Sequence, residues 1–395
     1  MPSSSRDKAA ESELPEGIKE RILERMPTRD AARSALLSTQ WRDAWHRQGR
    51  LIFGRAFFNS VENSKFSRDG RLSAVSIINN ILLLRAAPIK KFTLNIYRSY
   101  VLPPPKQSDI DRWCLFLSRN GVEELHLSAR YAGQKYKVPS CLLSCKTIKQ
   151  LTLDRFVFYL PANAPCMFSG LTSSNFRRVE FRGKDKRLVF SMPKLEKLDI
   201  YTCAGIPNFV AKAPNLKSLS LFGSLGRTGS RLLRFHLSSI STLHLCLERA
   251  AAMASVFPTE AINLQELKLD GFNFGFNYHL AFVVKLLKKS PKLCVLQINV
   301  QEGSENADPT LLEDLSKEDL RMLETVKLDE FTGTQIEMCL VRLLLSNSPA
   351  LHHVVIREAI DINESLASKA PKKLLSFPRS SPKAQIVYKD DYKPL

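Results

Sequence analysis

A chain of 395 residues that is 44% hydrophobic and 25% charged has the composition of a folded globular protein, which excludes a wholly disordered or fibrous one. The formal net charge of +19 attracts acidic partners, whether protein, nucleic acid or anionic lipid, or else marks a solvated basic surface. The eight cysteines are scattered, and the one close pair, Cys141 and Cys145, has no His or Cys cluster beside it, so neither zinc nor a disulfide framework is expected.

Residues 1–11 are polar and lack the apolar stretch of a secretory signal, so a disordered N-terminus is expected. The longest apolar run, Ile77 to Leu84, is broken by Asn79 and Asn80 and is too short for a membrane span. Scattered thiols without a signal point to a reducing compartment, cytoplasm or nucleus.

Residues 12–50 read as three short helices. Pro15 fits a first helical turn with Glu16 beside it, and Ile18, Ile22, Leu23 and Met26 recur at helical spacing. Pro27 stops that helix, Asp30 is expected to cap the second, and Ala31, Ala35 and Leu36 share a face. Ser38 can cap a third, with Trp41 and Trp45 four residues apart on one side. So small a unit buries little by itself. Its tryptophans and the Leu14-Pro15 pair predict a surface completed by a partner, or else a helical cap on the next domain. Residues 51–88 read as a helical connector.

From residue 89 one pattern returns: apolar, two residues, apolar, one residue, apolar. Examples are Ile89-Phe92-Leu94, Val122-Leu125-Leu127, Phe176-Val179-Phe181, Leu195-Leu198-Ile200, Leu216-Leu219-Leu221, Leu264-Leu267-Leu269 and Leu351-Val354-Ile356. Units that cannot bury their apolar face alone must stack, which predicts a solenoid with one short strand per repeat. Repeats are expected over 89–318 and, with a tail, over 319–395. The residues alternating with the buried pair then face the open side of the sheet. Among them Tyr201 and Phe222 fall on adjacent strands. Arg178, Arg182 and Lys197 are expected to flank them, the residue mix of a substrate-binding hot spot.

No sign of catalysis appears. The Gly-rich run from Gly223 to Ser230 lacks the Lys-Ser/Thr of a phosphate loop, and there is no nucleophile elbow and no HExxH. His352 and His353 are adjacent, so in a strand they point to opposite faces and share no metal easily. Asp154, Glu180, Asp199, Asp270 and Asp329 read as solvated strand-face carboxylates. No catalytic residue, metal or cofactor is expected.

The segment LPEGIKERILERMPTRDAARSALLSTQWRDAW resembles a plant F-box. INNILLLRAAPIKKFTL and DIDRWCLFLSRNGVEELHL resemble the opening of plant F-box/LRR proteins, and DLRMLETVKLDEFTGTQIEMCLVRLLLSNSPALHHVVI is similar to the FBD segment that closes many of them. Gly17, and Thr39-Gln40 before Trp41, depart from the F-box pattern without removing an anchor. The resemblance implies an α/β chain: a three-helix F-box, then an irregular leucine-rich-repeat solenoid, a curved parallel sheet with outer helices. It implies that Leu14, Pro15, Ile22, Leu23, Met26, Leu36 and Trp41 bind a Skp-type adaptor and, through it, a cullin. The chain would then be a non-catalytic substrate receptor of a ubiquitin ligase with an unknown protein substrate. The competing reading is a basic repeat scaffold that binds nucleic acid or another acidic partner. It calls for base-stacking aromatics or dense Lys/Arg on one face, which the sequence does not offer convincingly.

Overall fold

The computed structural model describes residues 14–63, 73–97, 103–130, 135–160, 167–183, 188–205, 209–223, 237–247, 261–301, 307–359 and 364–389. The expected disorder of residues 1–11 and residues 224–230 of the Gly-rich run lie outside them. The chain divides into two units, Met1–Asp154 and Arg155–Leu395.

The first unit opens with α1 (Glu16–Arg25), α2 (Thr28–Ser34) and α3 (Thr39–Arg47). Pro15 and Pro27 each sit at an N-cap with φ of −54°, so one proline ends α1 and starts α2. Asp30 therefore does not cap α2. It lies inside the first turn, where its carboxylate meets the positive helix end. Ser38 does cap α3, its Oγ accepting from Trp41 N–H at 3.3 Å. Leu23, Ala31, Ala44 and Trp45 form a small core beneath.

Strands β1 (Arg50–Phe53), β2 (Lys91–Ile96), β3 (Glu124–Ala129), the short β4 (Tyr136–Lys137) and β5 (Gln150–Asp154) follow, with helices α4 (Arg55–Glu62), α5 (Ala74–Leu83) and α6 (Gln107–Arg119) between them. The stretch 51–88, expected to be a helical connector, thus begins with a strand. Leu51 and Phe53 pair in parallel register with Phe92 and Leu94, and all four are buried. A four-residue strand shows too few alternations to declare itself. The order β1-β2-β3-β5 is parallel throughout. Arg85 ties the helical module to this sheet: its guanidinium lies 4.3 Å from the Trp45 ring centroid and donates to the Trp45 carbonyl at 2.7 Å. Burial lowers the Arg85 pKa to about 10.

The second unit carries β6 (Phe156–Leu160), β7 (Ser173–Arg177), β8 (Glu180–Gly183), β9 (Leu188–Ser191), β10 (Lys197–Tyr201), β11 (Phe209–Lys212), β12 (Ser218–Phe222) and β13 (Thr242–Cys246). It continues with β14 (Glu266–Phe272), β15 (Val295–Val300), β16 (Thr325–Phe331), β17 (His353–Glu358) and β18 (Gln385–Lys389). The sheet β7-β10-β12-β13-β14-β15-β16-β17-β18 is parallel throughout, one strand per repeat. Two further parallel pairings, β6 with β8 and β9 with β11, lie outside it. Helices α7 (Asn277–Lys288), α8 (Thr310–Glu313), α9 (Gln335–Asn347) and α10 (Glu364–Leu375) occupy the later repeats. The apolar faces of α7 and α9 are buried, while Lys285, Lys288 and Arg342 look outward. This is the expected α/β arrangement, a helical module followed by an irregular parallel-strand solenoid.

One turn leads into strand after strand. Leu195, Leu216, Leu293, Leu351 and Ala384 donate their N–H to the carbonyls of Met192, Ala213, Ser290, Ser348 and Ser381, three residues back. Pro193, Pro214, Pro291, Pro349 and Pro382 occupy the second position of these turns, where their locked φ is wanted. Strand exits are also shared. Arg178 (φ 49°) and Thr202 (φ 50°) leave in left-handed conformation, donating to the last carbonyls of the neighbouring strands, at Tyr201 and Phe222. Cys203, just after the exit of β10, accepts from Val179 N–H at 3.4 Å and faces the Phe176 carbonyl at 3.3 Å.

Candidate functional site

Ile18 and Ile22 lie four residues apart on α1, Leu14 and Pro15 precede the helix, and all four are exposed. The turn between α2 and α3 presents Leu36, 84% exposed, and Leu37, 74% exposed. Met26 and Trp41 are half-buried. Leu23 differs from the other residues expected to bind the adaptor: it is wholly buried, so it supports this surface from beneath. A polar frame fixes α1 against α3. Buried Lys19 donates to Gln40 Oε1, Gln48 Nε2 donates to the Leu23 carbonyl at 2.8 Å, and Arg47 bridges Glu20 and Glu16 at 3.2 and 3.1 Å. This polar frame leaves the apolar side chains above it open to solvent.

The second surface lies on the open face of the sheet in the second unit. Tyr201 and Phe222 stand side by side in register at the ends of β10 and β12. Their rings stack at 4.6 Å and 13°. Arg177 lies 4.9 Å over Tyr201, and the His244 ring meets Phe222 edge-on at 4.3 Å and 82°. His244 Nε2 contacts Asp270 Oδ2 at 2.5 Å. Burial alone would raise the Asp270 pKa, but His244, together with the Lys268 charge and an Asn299 hydrogen bond, outweighs it, and the carboxyl sits below its ordinary value. The Tyr201 hydroxyl is pushed up by burial and by nearby Asp199.

Two expected flanking residues lie elsewhere. Arg178 is the left-handed exit residue after β7, and the residue aligned with Tyr201 is Arg177. Arg182 belongs to β8, which pairs with β6 outside this sheet, where it bridges Glu180 at 2.6 Å and donates to the Tyr159 hydroxyl at 3.1 Å. The inward residues of β7 are Ser174 and Phe176. A serine in an apolar slot hides this strand, and the triplet Phe176-Val179-Phe181 imitates one five residues later. Lys197 is on the open face as expected, 3.6 Å from Asp199. The strand carboxylates are not uniformly solvated: Asp154 and Asp199 are buried, each held by a cation, Arg130 at 3.5 Å and Lys197. Among the described residues no group of three or more His, Cys, Asp or Glu could hold a metal ion.

Residues 12–53 match the F-box domain family, and residues 85–225 match the family described as "At1g61320/AtMIF1, LRR domain". An F-box/FBD/LRR-repeat protein of Arabidopsis thaliana is 28% identical over 430 residues, covering 96% of this chain and 98% of the relative. The chain carries an F-box and then leucine-rich repeats, as that relative does. A putative FBD-associated F-box protein of the same plant is 25% identical over 448 residues, covering 95% of this chain and 98% of that one. An F-box/LRR-repeat protein, also from Arabidopsis thaliana, is 24% identical over 290 residues, 70% of this chain and 56% of the relative. F-box and leucine-rich repeats together are the domain content of substrate receptors in F-box ubiquitin ligases, and neither matched family is a catalytic one. No described helix is long and apolar enough to cross a membrane.

Proposed function

We propose that this F-box/LRR-repeat protein is the substrate-receptor subunit of a Skp–cullin–F-box ubiquitin ligase and performs no catalysis itself. Residues 12–50 dock a Skp-type adaptor through Leu14, Pro15, Ile22, Met26, Leu36 and Trp41, with Leu23 beneath. The adaptor carries the cullin. Residues 89–318 hold a protein substrate at the Tyr201–Phe222 stack, beside Arg177 and Lys197, and the FBD-like residues 319–395 close the repeats.

The observation that carries this reading is the exposure of Leu14, Ile18, Ile22, Leu36 and Leu37 on helices held by their own polar frame. A chain gains roughly 1.5–3 kcal/mol by burying each such side chain, so a group left outside marks a surface that a partner covers. The test is co-purification of the tagged chain with a Skp-type adaptor and cullin. Leu36→Asp with Leu37→Asp should release both while the far-ultraviolet dichroism stays unchanged. Full retention of the adaptor by that variant contradicts the assignment.

A further inference from the structure

The Tyr201–Phe222 stack has a direction. Strands in a sheet lie about 4.7–4.9 Å apart, and side chains stand upright from it. Rings stacked at 4.6 Å therefore turn their faces toward neighbouring strands and their edges away from the sheet. The faces are occupied. Arg177 on β7 covers one side of Tyr201, Phe222 covers the other, and His244 on β13 closes the far side of Phe222. What remains outward are ring edges, which carry the positive end of the aromatic quadrupole, and guanidinium N–H groups. Arg155, Arg177 and Arg178 are all exposed at this end of the strands, and the Arg155 N–H donates to the Arg177 carbonyl at 2.9 Å. The nearby carboxylates are engaged: Asp199 with Lys197 and Asn175, Asp270 with His244, Glu180 with Arg182.

We infer that the C-terminal ends of β7, β10 and β12 receive an acidic peptide segment of the protein substrate. This rests on the open-face site proposed above and adds the chemistry of what binds there. The Arg177 guanidinium, held over Tyr201 with its Nε on Asn175 Oδ1, can donate its remaining N–H groups to a carboxylate, and a ladder already packed loses little freedom on binding. Single-stranded nucleic acid fits less well, because it binds by stacking bases on open ring faces and these are taken.

The experiment uses the full chain bound to its adaptor, with fluorescein-labelled short poly-L-glutamate as probe and single-stranded oligothymidine as comparison. Poly-glutamate should bind with an affinity that falls as salt rises. Arg177→Ala should weaken it about tenfold, as for an interface hot spot, while Lys288→Ala, on the outer side of α7, leaves it unchanged. Equal binding by Arg177→Ala, or binding of oligothymidine alone, overturns the inference. Captured protein partners separate the two levels of the proposal. A partner lost on Tyr201→Ala with Phe222→Ala, yet held at high salt and by Arg177→Ala, leaves the site standing and overturns its acidic ligand. A partner kept by all these variants overturns both.

Discussion

Tyr201 and Phe222 sit opposite each other on adjacent parallel strands, their rings 4.6 Å apart and nearly parallel. The pair is half-buried on the face that carries no apolar core. Replacing both with alanine should remove a contact worth about 0.5–1.5 kcal/mol beyond the area it buries, leaving the fold and the adaptor surface intact. The expected outcome is a small fall in melting temperature together with loss of at least one co-purifying protein. An unchanged partner list would move the substrate site to another part of the repeats.

Leu219 and Ser218 are neighbours on β12 with opposite fates. Leu219 points into the shared core and is fully buried, while Ser218 lies on the open face and is only partly covered. Leu219→Asp should unfold or aggregate the chain, because a charge enters the core without a partner. Ser218→Asp should cost less than about 1 kcal/mol. Thermal melts of the two variants make the comparison, and equal melting temperatures would contradict the strand register.

Two glycines should respond in opposite directions. Gly205 has φ of 78°, and a Cβ there would overlap the Phe181 carbonyl, so Gly205→Ala should cost at least about 2 kcal/mol. Gly17 lies in the first turn of α1 with nothing within 4 Å of its would-be Cβ. Gly17→Ala should stabilise the helical module by up to about 1 kcal/mol. Calorimetric melting of each variant checks both signs.

His279 makes stability depend on pH. Its Nδ1 accepts from Asn273 N–H at 3.0 Å and lies 3.2 Å from the Asn273 carbonyl, its Nε2 lies 3.2 Å from the Leu247 carbonyl, and burial disfavours charging the ring. Burial holds its pKa below the ordinary 6.5. The unfolded chain therefore takes up the proton first as pH falls. The contribution is complete above about pH 6.5 and is lost progressively below it, toward the folded-state value. Urea midpoints at neutral pH and near pH 5.5 should show the drop in the wild type and a shallower one in His279→Gln. An identical slope in both would assign the pH dependence to other groups.

The helical module and the repeating strands were legible because their signals are periodic. Pro15, Pro27 and Ser38 mark helix boundaries by chemistry that acts within a few residues. The Leu-x-x-Leu-x-Leu units share a register that the sheet repeats from β10 to β17. Where periodicity failed, so did the reading. Ser174, buried in an apolar slot, shifted the strand before Tyr201 by five residues and put Arg182 where Arg177 stands. Strand β1 is too short to show alternation, and the separate pairing of β6 with β8 depends on contacts between repeats that no local pattern encodes. Leu23 follows the same helical spacing as Ile22, but only packing against α3 decides that one is core and the other surface.

The central claim is that the exposed apolar side chains of the helical module exist to be covered by an adaptor. Titration calorimetry of the full chain against a purified Skp-type adaptor tests it most directly, with Leu14→Ala plus Pro15→Ala as the comparison. The account predicts tight binding by the wild type and a loss of about 2 kcal/mol or more in the double variant, as for truncated interface anchors. Equal affinity of the two proteins, or no binding by a folded wild type, would contradict it.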